Sequence, residues 1–60
     1  MKTVYSCTIA GYEITLLQKN ERTFSVVYGY DQTHNLDYVQ ASQILGACMM
    51  HALTCEGKID

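Results

Sequence analysis

Three residues near the C-terminus have the types and spacing of a small chemical site. Cys48, His51 and Cys55 stand at i, i+3 and i+7, which on a helix turns their side chains to within about 60° of one another. Thiolates and an imidazole are the usual protein ligands of zinc, and a thiolate beside an imidazole can act as a nucleophile. These three residues are therefore the candidate metal or redox site of the chain.

The rest of the sequence argues against both uses of this site. A structural zinc site needs a fourth ligand and usually shows short cysteine pairs such as C-x-x-C, yet only Cys7 is available and no such pair occurs. There is no glycine-rich loop to supply oxyanion donors, and Asp31 and Asp37 are interpreted as turn and cap residues. We expect small thiols packed in a core, with no enzymatic activity, no metal and no cofactor. A metal- or redox-responsive protein that uses the helix cysteines and histidine is kept as the alternative.

Length and composition predict one small folded domain over residues 1–60. The chain is 48% hydrophobic and 17% charged, which is typical of a core-forming sequence. A net charge of −2 gives no electrostatic footprint for nucleic acid. The odd number of cysteines, three, and the absence of an apolar leader at the start favour reduced thiols and a cytoplasmic location.

The longest uncharged stretch runs from Tyr38 to Cys55 and approaches the minimum length of a membrane-spanning helix. Four polar residues interrupt it, and each would need a partner inside lipid: Gln40, Gln43, His51 and Thr54. We therefore expect no membrane partner.

The elements that must position these residues follow from hydrophobic periodicity. Apolar and polar residues alternate over 5–9, 12–16 and 24–30, the period of two that is typical of half-buried strands. A capping box over Asp37-Tyr38-Val39-Gln40 predicts a helix from residue 38 to about Cys55, with Gly57 at the left-handed C′ position and Ile59 folding back on the last turn. The predicted fold is α+β: a three-stranded antiparallel meander followed by one C-terminal helix packed on one sheet face.

Strand register provides an internal check on the meander. A two-residue loop at Ala10-Gly11 and a three-residue loop at 20–22 place one common set of residues on the inner face. The pairs expected across the two hairpins are Ile9/Tyr12, Cys7/Ile14, Tyr5/Leu16, Leu16/Val26, Ile14/Tyr28 and Tyr12/Tyr30. Four of the five tyrosines fall on this face, and their hydroxyls must reach its rim or a partner. The segment Asp31–Asn35 is expected to be a loop.

The predicted helix has more apolar surface than the sheet can cover. At 100° per residue one stripe is expected to close the core, namely Tyr38, Ala41, Ile44, Leu45, Cys48, Ala52 and Cys55. A second group, here called the apolar sector, lies beside it and consists of Val39, Ser42, Gly46, Met49, Met50 and Leu53. Gly46 and Ser42 would admit another helix at close range, and methionine adapts to binding surfaces. The apolar sector is therefore predicted to be an interface; the alternative is that a curled sheet or the C-terminal tail covers it.

These features predict a small non-enzymatic interaction protein. It would bind a second copy of itself, most simply as a homodimer, or a different protein target. The other alternative is a purely structural homodimer that has no further target. A short chain of this architecture, with surplus apolar surface and no catalytic motif, resembles the accessory proteins of bacteriophage early regions. That resemblance is one of architecture only, and it implies an inhibitor or modulator of a host protein.

Overall fold

The computed structural model describes residues 1–58, so the predicted position of Ile59 lies outside the described part of the chain. The elements in chain order are β1 (Lys2–Ile9), β2 (Tyr12–Asn20), β3 (Thr23–Tyr28), β4 (Asp31–Leu36) and α1 (Tyr38–Cys55). The strands form one antiparallel sheet in the order β1-β2-β3-β4. The α1 helix packs on one face of this sheet and contacts all four strands. Within residues 1–58 no helix has the length and apolar character needed to cross a membrane.

The first hairpin has the predicted register. Tyr5 pairs with Leu16, Cys7 with Ile14, and Ile9 with Tyr12, and a bulge follows between Thr3 and Tyr5. The two-residue turn is Ala10-Gly11, and both residues have positive φ, 53° and 78°. Positive φ at both positions is the type I′ geometry, whose twist matches that of the flanking strands.

The second hairpin keeps the predicted faces but reaches them by a different turn. The Ile14/Tyr28 and Leu16/Val26 pairs are confirmed, whereas the predicted three-residue loop is wrong because Asn20 pairs with Thr23. A two-residue turn plus one bulged residue between Gln18 and Asn20 takes up as many residues as the predicted three-residue loop. The same residues therefore remain on the inner face. The Asn20 side chain accepts a hydrogen bond from the Arg22 N–H at 2.9 Å, which fixes the turn.

The predicted loop at Asp31–Asn35 is wrong: residues 31–36 form β4, and the sheet has four strands rather than three. The third strand ends at Tyr28, so the Tyr12/Tyr30 pair does not form, and Tyr30 is fully exposed in a turn that begins at Gly29 with φ 59°. Polar β4 lacks apolar alternation because it is an edge strand with one buried residue, Leu36.

A bulge in β4 turns Leu36 into the core. The register shifts between Phe24 and Val26, where Asn35 adopts a φ of 59°. Asparagine tolerates this left-handed conformation. Leu36 therefore lies opposite Phe24 and is buried with Val26 and Ala41.

Both predicted ends of the helix are confirmed. The Asp37 carboxylate accepts from the Gln40 N–H at 2.7 Å, and the Gln40 side-chain oxygen accepts from the Asp37 N–H at 3.2 Å, which completes the capping box. At the other end Gly57 has φ 76° and its N–H donates to the Thr54 carbonyl, while the Lys58 N–H donates to that of Leu53. These two bonds form a Schellman motif.

The core between α1 and the sheet is small. Its buried hydrophobic residues are Ile14, Val26, Leu36, Ala41 and Ala52. The two alanines allow α1 to approach the sheet closely. Most of the predicted helix stripe faces the sheet, but its two ends do not: Tyr38 is 74% exposed and Cys55 is exposed. The periodicity therefore overestimates burial at the two ends of α1.

One long-range hydrogen bond joins the two ends of the fold. The Ala10 N–H in the first turn donates to the side-chain Oε1 of Glu56, the C-cap residue of α1, at 2.9 Å. The carboxylate therefore ties the first hairpin to the last residues of the helix.

Replacing Asp37 by alanine should lower the free energy of unfolding by about 1 kcal/mol, because the Gln40 N–H loses its acceptor. Asp37→Ser, which keeps a capping oxygen, is the control and should lose much less. Urea denaturation measures both, and an unchanged midpoint for Asp37→Ala would rule out a stabilising role for this cap.

Replacing Ala10 by asparagine should raise the free energy of unfolding by about 1 kcal/mol. Alanine at φ 53° is unfavourable, whereas Asn-Gly is a preferred type I′ pair. Ala10→Val should destabilise, because a β-branched side chain is strained at positive φ. The order Asn, Ala, Val in thermal midpoint is expected; Asn at or below Ala would contradict the turn assignment.

Candidate functional site

The apolar sector lies on a flank of α1 that points away from the sheet. Val39 is 59% exposed and Met50 is 55% exposed, and Ser42 and Gly46 are exposed beside them. Met49 and Leu53 are half-buried. Neither the sheet nor any other part of residues 1–58 covers Val39 and Met50.

No charge interrupts this surface. All four basic and six acidic residues lie outside α1, so neither the first nor the last helical turn carries a charge that would complement the helix dipole. The apolar sector is thus a neutral strip along a helix, the kind of surface that gains most from contact with another apolar surface.

An apolar pocket of about 200 Å³ adjoins the N-terminal part of this strip. It lies between α1 and strands β2 and β3, and Tyr38 forms one wall, with its ring edge-on to Phe24 at a centroid distance of 6.4 Å. Ser42 belongs both to the pocket lining and to the apolar sector. The pocket and the strip therefore form a continuous surface.

Among the candidate metal or redox residues, His51 is engaged by a tyrosine of the sheet. The His51 Nδ1 atom is hydrogen-bonded to the Tyr28 hydroxyl at 2.5 Å. Cys48 is half-buried and Cys55 is exposed, and Cys7 lies half-buried on β1. Among residues 1–58 no three His, Cys, Asp or Glu side chains are grouped closely enough to hold a metal ion.

The environment of Cys48 makes its thiol a poor nucleophile. Burial, and secondly the negative charge of Asp31, raise the pKa of the Cys48 thiol above its ordinary value. A raised pKa lowers the fraction of thiolate at neutral pH, and the thiolate is the reactive form.

A second feature, which the periodicity did not predict, lies at the end of the sheet near the first turn. The rings of Tyr12 and Tyr28 are 5.1 Å apart and tilted by 45°, and the imidazole of His51 meets Tyr28 edge-on at 5.8 Å. These three rings border an open cleft of about 690 Å³ that also includes Tyr30 and Asp31. Desolvation is the first cause of a raised pKa for the Tyr28 hydroxyl, which therefore keeps its proton to a higher pH than an ordinary tyrosine does.

This cleft was missed in the sequence analysis because His51 was considered there beside Cys48 and Cys55, not beside the tyrosines of the sheet. On the helical wheel His51 borders the core stripe, and Tyr12 and Tyr28 share the inner face of the sheet. The signal available was the requirement that inner-face tyrosine hydroxyls find partners. His51 is the partner of the Tyr28 hydroxyl.

Alkylation of Cys48 should be several-fold slower in the folded protein than in urea at the same pH near neutrality. The rate should rise only as the pH passes through the raised pKa of the thiol, since thiolate forms there. A double variant, Cys7→Ser with Cys55→Ser, isolates Cys48, and iodoacetamide labelling followed by mass spectrometry measures the rate. Faster labelling in the folded state would instead indicate an activated, redox-responsive cysteine.

The chain was compared with known proteins at the levels of sequence and fold. No protein-family model, curated protein or solved structure matches it.

Proposed function

We propose that this chain is a non-enzymatic protein-interaction module that self-associates through the apolar sector as a homodimer. The observation that carries the proposal is the exposure of Val39 and Met50 on a helix without a single charged residue. Burying a side chain of this kind fully contributes roughly 1.5–3 kcal/mol. For a domain of sixty residues that amount is a large part of the total stability.

The order of residues in the apolar sector supports a second copy as the occupant. When two antiparallel helices are related by a twofold axis at Gly46, residues equally far before and after Gly46 face each other. Val39 would then face Leu53, and Ser42 would face Met50. The strip from Val39 to Leu53 is about 21 Å long at 1.5 Å per residue. A self-complementary strip is what a twofold interface requires.

Gly46, at the centre of this arrangement, has no role in the packing of the monomer. A Cβ atom at position 46 would meet nothing within 4 Å. Glycine in the middle of a helix destabilises it by about 1 kcal/mol relative to alanine. Close approach of a second helix backbone at this point gives the glycine a use that the single chain does not.

The apolar pocket fits the same arrangement. Ser42 lines the pocket, and Met50 of the second copy would lie opposite Ser42. Methionine is flexible enough to fill an irregular apolar pocket of about 200 Å³. The neutral character of α1 also favours an uncharged partner surface, and a second α1 is one.

The proposal includes a cytoplasmic location, which the odd number of unpaired cysteines supports. Inhibition or modulation of a host protein, as the bacteriophage resemblance implies, is the second form of the same function. In that form the exposed apolar sector contacts a different protein.

Gly46→Leu should abolish self-association, because the leucine side chain would hold two helices apart. Light scattering of the wild type at high concentration should give close to twice the chain mass of 6.8 kDa, and the variant close to 6.8 kDa. Met50→Glu should have the same effect by burying a charge in an apolar contact.

Matched controls use Ala47, an exposed residue on the neighbouring side of α1. Ala47→Leu and Ala47→Glu make comparable changes in size and charge outside the apolar sector, and both should remain dimeric. Circular dichroism checks that every variant is folded. A wild type that stays at 6.8 kDa at all concentrations would overturn self-association, as would dimers of unchanged mass in both sector variants.

A further inference from the structure

The residues that line the cleft at the end of the sheet take no part in the proposed dimer interface. Three tyrosines line it, Tyr12, Tyr28 and Tyr30, and Tyr30 extends from its turn with its side chain fully exposed. Tyr12 and Tyr28 are tilted instead of stacked face to face. The fully exposed ring of Tyr30 has no packing function in the single chain.

The charge of the cleft is negative. Asp31 is among its lining residues, and neither lysine nor arginine is; Glu13 also borders the cleft, but it alternates with Tyr12 and Ile14 along β2 and its side chain belongs to the outer face. Within residues 1–58 the carboxylate of Asp31 takes part in no ion pair and no side-chain hydrogen bond. Asp31 pairs with Tyr28 across the β3–β4 hairpin, so its side chain is on the same face as the aromatic rings.

We propose that this cleft binds an organic cation, an ammonium or guanidinium group with an apolar body. The faces of aromatic rings attract cations, tyrosine among them, and the effect adds to the attraction of a nearby carboxylate. Asp31 supplies the charge, Tyr12 and Tyr28 supply fixed ring surfaces, and Tyr30 is free to close on the bound group.

The hydrogen bond between Tyr28 and His51 gives the site its rigidity. It holds the Tyr28 ring against α1, and the His51 ring lies edge-on to both Tyr28 and Tyr12. Rings that are already fixed lose little entropy when a ligand binds. Tyr28 and His51 act here as a positioning pair, and the contacts to the ligand come from the ring faces and Asp31.

The site lies apart from the proposed dimer interface. At 100° per residue His51 is about 150° around α1 from the centre of the apolar sector. The two surfaces occupy opposite flanks of the helix, so loss of one property leaves the other measurable.

Titration with choline, followed by ¹H–¹⁵N NMR, tests the proposal. The amide shifts of Tyr12, Gly29, Tyr30 and Asp31 should move and saturate, with a dissociation constant on the order of 1 mM, typical of a few exposed contacts. The uncharged isostere 3,3-dimethylbutan-1-ol is the matched control ligand and should bind at least several-fold more weakly. Arginine amide, in a parallel titration, distinguishes a guanidinium preference from a quaternary ammonium preference.

Two variants assign the binding to the residues named. Asp31→Asn should weaken choline binding about two- to fivefold without changing the affinity for the alcohol, and Tyr12→Leu should weaken both cations by a similar factor. Tyr38→Leu removes an exposed tyrosine outside the cleft and should have no effect. Asp31→Asn is a surface change on an edge strand, so it keeps the proposal testable if Tyr12→Leu fails to fold.

Equal affinity for choline and its uncharged isostere would overturn the proposal, because the cleft would then be a general apolar site. Unchanged choline binding in Asp31→Asn would also overturn it, as would shifts that do not saturate or that centre on Tyr38.

Discussion

The contact between α1 and the inner face of the sheet is the interaction on which the fold depends. Ala41 and Ala52 lie at this contact, and their small side chains bring the helix down onto Ile14, Val26 and Leu36. The result is a thin core, with few fully buried side chains to oppose the entropy of the unfolded chain. A helix held this closely leaves the apolar sector on one flank, and on the other flank it places His51 against the tyrosines of the sheet.

Period-two alternation predicted the faces of β1, β2 and most of β3, because burial on one side of a sheet requires it. The β4 strand could not be found in the same way. Its residues 31–35 are exposed, and it is held by backbone hydrogen bonds to β3, which leave no hydrophobic pattern in the sequence. The prediction of a three-residue loop was wrong for a related reason. A two-residue turn with a bulge and a simple three-residue loop produce the same alternation of apolar and polar residues in the flanking strands.

The candidate sites were predictable to different degrees. A helical wheel is sufficient to define the apolar sector, since the surplus of apolar residues is a property of α1 alone. The group of Tyr12, Tyr28 and His51 depends on how the helix is placed along the sheet, which no local pattern specifies. Helical spacing correctly places Cys48, His51 and Cys55 on one side of α1. It does not reveal that His51 is hydrogen-bonded to a tyrosine of β3, because that contact also depends on where the helix lies on the sheet.

The hydrogen bond from Ala10 to Glu56 spans 46 positions of the chain. The contacts of the meander join neighbouring segments and involve short loops, whereas this bond closes nearly the whole length described. During synthesis the hairpin of β1 and β2 leaves the ribosome well before Glu56 does. Until that residue emerges, the Ala10 N–H can bond only to water, so the contact between the first turn and the helix end can only be a late step of folding.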